Sequence, residues 1–225
     1  MAKRSVRKTR KAPAAKAPAR SPAGRRDRNK AAIQQRIVVA ALTLFQAKGF
    51  DATTTKAIAR KAGIAEGTVF NYFRTKEDIA LYFFEQEVDH AIDAVRRSPR
   101  LRKASLDEKL FALIQSQLAY IAPYEGFIGT ALVEALRPGS KLGFLSHRAQ
   151  ALRHRYMAFV QELVEESVPD RGALPASWWV PDAFWIYYLG ALLFWLHDAS
   201  PRKQNTLAFL DSTLRIGVSI LQRAR

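Results

Sequence analysis

The chain has 225 residues, with 36 Lys and Arg against 20 Asp and Glu, a formal net charge of +16 and no Cys. This length buries a core without disulfides, and the missing Cys excludes thiolate metal sites, Cys nucleophiles and thiol redox switching. A hydrophobic fraction of 48% excludes a wholly disordered chain, and no phosphate loop, dinucleotide fingerprint, His-Glu-x-x-His or Gly-x-Ser-x-Gly motif marks an enzyme.

The charge lies at one end. Residues 1–30 hold 12 Lys and Arg against Asp27 alone, a net +11, and the rest of the chain carries +5. Residues 1–28 read as a disordered basic arm: they are rich in Lys, Arg, Ala and Pro, and offer too little apolar surface to offset chain entropy. With no apolar central stretch the arm is not a secretory signal, and with no apolar anchors beside its charges it is not a membrane-surface segment. Its charge points to a polyanion, here nucleic acid.

Helical periodicity begins near Asn29, where Ile33, Ile37, Ala41, Leu44 and Phe45 share one face, and Gly49 suits the left-handed position after the helix. Thr53, Thr54 and Thr55 offer hydroxyl caps to a second, short helix carrying Ile58, Ala59 and Ala62, and Gly63 stops it. A turn through Ile64 and Ala65 leads to a third helix, Glu66 to about Phe73. Thr75 then caps a fourth, with Glu77 and Asp78 in its first turn where the helix dipole favours acids.

Beyond Pro99, Ser105 and Glu108 have capping-box spacing and open a helix to about Ala122, which Pro123 breaks. Residues 125–136 form the next helix, ended by Pro138-Gly139, and residues 145–168 a long amphipathic one, stopped by Pro169. A loop from Pro169 to Pro181 leads to Asp182 as a cap. Residues 183–196 carry no charge, too few to span a bilayer, and read as a helix buried on most sides. A final helix runs from about Arg202 to Gln222. No stretch alternates like a strand, so the chain reads as all-α, with about nine helices.

Two short helices joined at a Gly turn form a helix-turn-helix. The stretch from Arg36 to Ile79 goes further: RIVVAALTLFQAKGFDATTTKAIARKAGIAEGTVFNYFRTKEDI strongly resembles the DNA-binding domain of TetR-family transcriptional regulators. The resemblance is carried by Ala41-Leu42, Leu44-Phe45, Gly49-Phe50, Thr53-Thr54, Ile58-Ala59, Ala62-Gly63-Ile64, Gly67-Thr68-Val69-Phe70, Tyr72-Phe73 and Lys76-Glu77, in register and without a gap. It implies an N-terminal three-helix helix-turn-helix domain over residues 29–80, with the motif at 54–73, and a helical ligand-binding and dimerisation domain over residues 81–225.

The residue chemistry fits DNA. A recognition helix needs small or polar side chains that let its backbone approach base edges, as Ala65, Glu66, Gly67 and Thr68 do. Thr54, Thr55 and Lys56 open the preceding helix, where the family contacts phosphates. Tyr72 carries a hydroxyl able to donate to phosphate, and Lys76, in a first turn that disfavours cations, is explained by a DNA contact. Asn71 and Glu66 occupy positions that vary in the family and are the candidates for sequence readout. Phe70 stands where the family usually has Tyr, so a phosphate-contacting hydroxyl is missing there. Residues 31–80 carry only +3; the arm would add salt-sensitive phosphate contacts.

For the C-terminal half only the family's architecture is carried over. It implies a homodimer through the last two helices, double-stranded DNA with a palindromic operator as partner, and an apolar or aromatic small-molecule effector. Candidate effector contacts are Tyr120, Glu134, Tyr188 and His197, polar groups within apolar segments, with Glu134 read as surface-exposed. No cofactor, metal or membrane partner is expected, and the four His have no ligand spacing. The expected function is a bacterial, cytoplasmic, nucleoid-associated repressor released from its operator by the effector. The alternative is a nonspecific basic nucleoid-associated protein driven by the arm.

Overall fold

The helices begin where local chemistry places them. In the computed structural model, which describes residues 22–137, 139–167 and 179–223, nine α-helices run through the described residues. They are α1 (Pro22–Lys48), α2 (Thr55–Ala62), α3 (Glu66–Phe70), α4 (Lys76–Arg97), α5 (Leu106–Ile121), α6 (Glu125–Leu136), α7 (His147–Ser167), α8 (Val180–His197) and α9 (Gln204–Arg223). The Thr75 hydroxyl accepts from the Asp78 amide at 3.2 Å while Asp78 accepts from the Thr75 amide at 3.1 Å, a reciprocal cap on α4. The Ser105 amide donates to Glu108 Oε2 at 3.0 Å in the same way at α5.

The chain divides into two units, Met1–Gln35 and Arg36–Arg225. Within the first, helix α1 starts at Pro22, seven residues ahead of the expected Asn29, so residues 22–28 are helical rather than disordered. Proline suits a first helical position, where its missing N–H leaves no bond unmade. The remainder of the basic arm lies outside the described residues.

In the second unit α5 is the central helix, packed against α4, α7 and α9. Its Leu106, Leu110, Leu113, Ile114, Leu118 and Ile121 are buried, while Glu108, Gln115 and Ala119 leave one narrow face exposed. Each such side chain contributes about 2 kcal/mol on leaving water. Phe45 of α1, Phe50 and Phe127 of α6 form an aromatic cluster with centroids 4.8–6.1 Å apart, and the Gln46 amide donates to the Pro123 carbonyl at 2.6 Å. The DNA-binding helices therefore share a core with the C-terminal helices, and the expected boundary near residue 80 falls inside α4.

Three expectations are corrected. Helix α3 stops at Phe70, not Phe73, because the Tyr72 and Phe73 amides both return to the Val69 carbonyl and close the chain into a turn toward Thr75. Helix α8 begins at Val180 with Trp179 at its cap, and Asp182 sits inside the first turn. That helix is also not buried on most sides: Ile186 is 71% exposed, with Leu193 and Phe194 open as well. The loop expected from Pro169 lies largely outside the described residues. Before α9, buried Asp198 accepts from the Ser200 amide, the Thr206 amide and the Thr206 hydroxyl at 2.7–2.9 Å. Burial alone would raise this carboxyl, but the bonds from Ser200 and Thr206 outweigh it and hold it well below the usual carboxylate range. Among the described residues no helix is long and apolar enough to cross a membrane.

Candidate nucleic-acid interface and buried cavity

The helix-turn-helix is fastened by local bonds. Thr54 caps α2, its hydroxyl accepting from the Ala57 amide at 3.2 Å. Gly63 ends α2 at φ 65°, its amide returning to the Ala59 and Arg60 carbonyls. Arg36 of α1 donates to the Ala62 carbonyl at 2.5 Å and to the Gly63 carbonyl at 3.4 Å, and a Cβ at Gly63 would lie 3.3 Å from its guanidinium. Gly63 thus serves both the left-handed turn and the approach of Arg36.

Helix α3 buries Val69 completely and turns Ala65, Gly67, Phe70 and Asn71 to the surface; Glu66, Thr68 and Tyr72 are half-buried. Thr54 and Lys56 are exposed at the start of α2, and Thr55 donates to Glu66 Oε1 at 3.3 Å, tying the start of α2 to that of α3. Of the predicted DNA-contacting residues, Thr54, Thr55, Lys56, Ala65, Glu66, Gly67 and Thr68 lie at the starts of these two helices, and Asn71 and Tyr72 follow the end of α3. Lys76 differs: its ammonium donates to the Phe50 and Asp51 carbonyls at 2.7 and 3.1 Å and lies 4.5 Å from the Phe50 ring centroid. These contacts within the fold offset the cost of a cation in a first helical turn. Phe70, 48% exposed, presents an apolar face on the same surface.

Farther along α4, Arg148 of α7 bridges Asp78 at 2.9 Å and Glu85 at 2.7 Å. Burial would lower its pKa, but Glu85 and then Asp78 outweigh that and raise it.

Helices α4 to α8, with Leu142 and Phe144 from the segment between α6 and α7, line a cavity of about 120 Å³ that is partly open to solvent. Its walls are mostly apolar: Leu81, Phe84 and Val88 of α4, Ile128 and Leu132 of α6, and Trp185, Leu189 and Leu192 of α8. One carboxyl lies among them. Glu87 of α4 is 3% exposed, its pKa pushed up to about 8 by burial against a smaller opposing hydrogen bond from Gln117. Tyr156 of α7 donates to Gln117 Oε1, and Glu87 Oε1 has no hydrogen-bond partner among the described residues. Burial, and after it the neighbouring Glu87, raises both Tyr156 and Tyr188 well above the usual phenol range.

Of the four predicted effector contacts only Tyr188 lines this cavity. Tyr120 packs between Phe83 and His90 outside it. Glu134, read as surface-exposed, is 9% exposed and pairs with Arg137 at 2.5 Å, which satisfies its charge one helical turn away. His197 is exposed, with Nδ1 2.8 Å from the Leu193 carbonyl. The sequence reading missed Glu87, Gln117 and Tyr156. The signal available was a carboxylate in the apolar register of α4, one position before Val88. Among the described residues no group of three acidic or His side chains is placed to hold a metal.

Residues 37–83 match the family described as bacterial regulatory proteins, tetR family, and residues 109–225 match the tetracyclin repressor-like C-terminal domain. The fatty acid metabolism regulator protein of Bacillus subtilis is 30% identical over 86 residues, which are 38% of this chain and 44% of that protein. The chain spans 44–66% of the length of the curated relatives it matches. The TetR transcriptional regulator from Nitrosomonas europaea has a similar fold, at 17% identity and a TM-score of 0.68 over 82% of this chain and 97% of that one. So does FadR from Bacillus subtilis in complex with stearoyl-CoA, at 20% identity and a TM-score of 0.63 over 81% and 96%.

Proposed function

The chain belongs to the TetR family of bacterial transcriptional regulators and is not an enzyme, and from that premise we propose that it is a cytoplasmic repressor released from a palindromic operator when a small molecule with an apolar body fills the cavity. The observation that carries this reading is a continuous path of contacts between cavity and DNA-binding helices. Phe84 lines the cavity and stacks on Phe127 at 6.1 Å; Phe127 stacks on Phe45 and Phe50; Phe50 and its carbonyl hold Lys76, beside the α3 turn. An occupant that displaces Phe84 or α4 repacks this path, and packed cores switch between discrete arrangements rather than deforming continuously. The operator-binding form loses population in proportion to the occupant's preference for the other form. The acyl-CoA bound by the related FadR supports an effector with an apolar part.

Thr54, Thr55, Lys56, Ala65, Glu66, Gly67, Thr68, Asn71 and Tyr72 form the proposed DNA surface, with Asn71 and Glu66 reading bases and Lys76 holding the segment that presents them. The homodimer forms through α8 and α9: Ile186, Leu193 and Phe194 of α8 and Ile216 and Ile220 of α9 are exposed apolar residues in the single chain. Two such helices from each protomer make a four-helix bundle, and a twofold dimer sets the recognition helices about 34–36 Å apart.

Selection of bound sequences from random DNA, followed by titration at physiological salt, tests the proposal. The expected result is a palindrome bound roughly 10³-fold or more above random DNA. A ratio near one supports the nonspecific nucleoid protein instead.

A further inference from the structure

We infer that the cavity is built for an amphiphile whose apolar body carries a protonated amine, with the N–H group donating to Glu87. The inference rests on the ligand-responsive reading above and specifies the head group that reading leaves open.

Two independent observations carry it. The walls are apolar except at Glu87, Gln117, Arg153, Tyr156, the Tyr188 hydroxyl and the Trp185 indole, and Gln117, Tyr156 and Arg153 are already engaged. Tyr156 donates to Gln117, and Arg153 is paired with Asp182 and lies over the Trp185 ring. Glu87 is the one acid in the lining: it is 3% exposed and bonded to Gln117, yet its Oε1 accepts nothing. A buried acceptor left unmade costs about 1–3 kcal/mol, so the site is held at a deficit that a ligand donor removes. An acyl chain brings no hydrogen-bonding group, and a thioester carbonyl accepts only from the neutral carboxyl's O–H, a bond without charge assistance. A quaternary ammonium brings charge without an N–H. A primary amine brings both, and a charge-assisted bond is roughly twice as strong as a neutral one.

The same geometry sets a proton balance. The groups facing Glu87 are Gln117 and Tyr120 from α5, Tyr156 and the paired Arg153 from α7, and Tyr188 from α8; the α6 wall is apolar. The tyrosines all stay neutral through pH 8, so Glu87 is the group that titrates. On binding, the ammonium keeps its proton and Glu87 releases its own to solvent. Affinity for an amine therefore rises close to tenfold per pH unit from pH 6 toward pH 8.

Calorimetry without DNA, on the full chain, with octylamine, octanol, octanoate and octyltrimethylammonium, separates the alternatives. The expected order places octylamine tenfold or more ahead of the other three at pH 7.5, with its affinity falling toward pH 6. Glu87→Gln is expected to remove the amine preference while octanol binding, which reports an intact cavity, is kept. Equal binding of octanoate or octyltrimethylammonium, a pH-independent octylamine affinity in the unmodified protein, or no octylamine binding overturns the inference. Because operator DNA is absent, these outcomes are independent of whether the occupant releases it. An amine that binds as expected but leaves operator affinity unchanged refutes the proposed function and not this inference.

Discussion

Replacing Glu87 by Gln keeps the side chain's shape and its hydrogen bond with Gln117 but removes the titration. In the native protein the Glu87 carboxyl is raised from 4.5 to about 8 by burial. A raised acid binds its proton more tightly folded than unfolded. Its favourable contribution is therefore complete below pH 4.5 and is lost as pH rises to about 8. Over that window each pH unit costs about 1.4 kcal/mol, or about 4 kcal/mol between pH 5 and pH 8. Against a total stability of about 5–15 kcal/mol this is a large fraction. Glu87→Gln has no such slope, so it should match the native protein near pH 5 and exceed it by about 4 kcal/mol at pH 8. Urea denaturation followed by Trp fluorescence at fixed protein concentration reads this directly. With a slope of about 3 kcal/mol per M, the midpoints should separate by about 1.3 M at pH 8 and coincide at pH 5. A separation that stays constant with pH refutes the reasoning, because it means the carboxyl is already ionised and compensated inside the fold.

Lys76→Met removes two bonds to the Phe50 and Asp51 carbonyls and the contact with the Phe50 ring. Thermal unfolding should show a loss of about 1–2 kcal/mol together with weaker operator binding. Weaker binding with unchanged stability would make Lys76 a DNA contact alone. Phe194→Asp combined with Ile220→Asp places charges on the exposed apolar faces of α8 and α9. Sedimentation should then show monomers, with operator affinity falling by a hundredfold or more, while the single-chain core stays folded by circular dichroism; an intact dimer would move the interface elsewhere.

The cavity and the DNA surface answer to different kinds of information in the chain. Thr54, Gly63, Thr75 and Ser105 punctuate helices through bonds to residues three or four positions away, and such bonds follow from local spacing. The helix-turn-helix was legible for this reason, as was the extent of α6, bounded by Pro123 and Pro138-Gly139. Lys76 was legible only in part: its position in a first turn was visible, but its partners lie 25 and 26 residues back along the chain. Glu134 and Glu87 make the sharpest contrast. Both are carboxylates in apolar stretches, yet Glu134 finds Arg137 one turn away and Glu87 finds Gln117 on another helix.

By itself the sequence determined the all-α class, the caps, the DNA-binding motif and the absence of thiol chemistry, because helix periodicity, capping and composition are properties of neighbours along the chain. Only the tertiary structure decided which carboxylate is buried unpaired, which face of α8 is open and which aromatics join the cavity to the DNA-binding helices. Those outcomes depend on five helices converging across a core. The desolvation that raises Glu87 is the sum of what all five exclude, and no local stretch of sequence contains it.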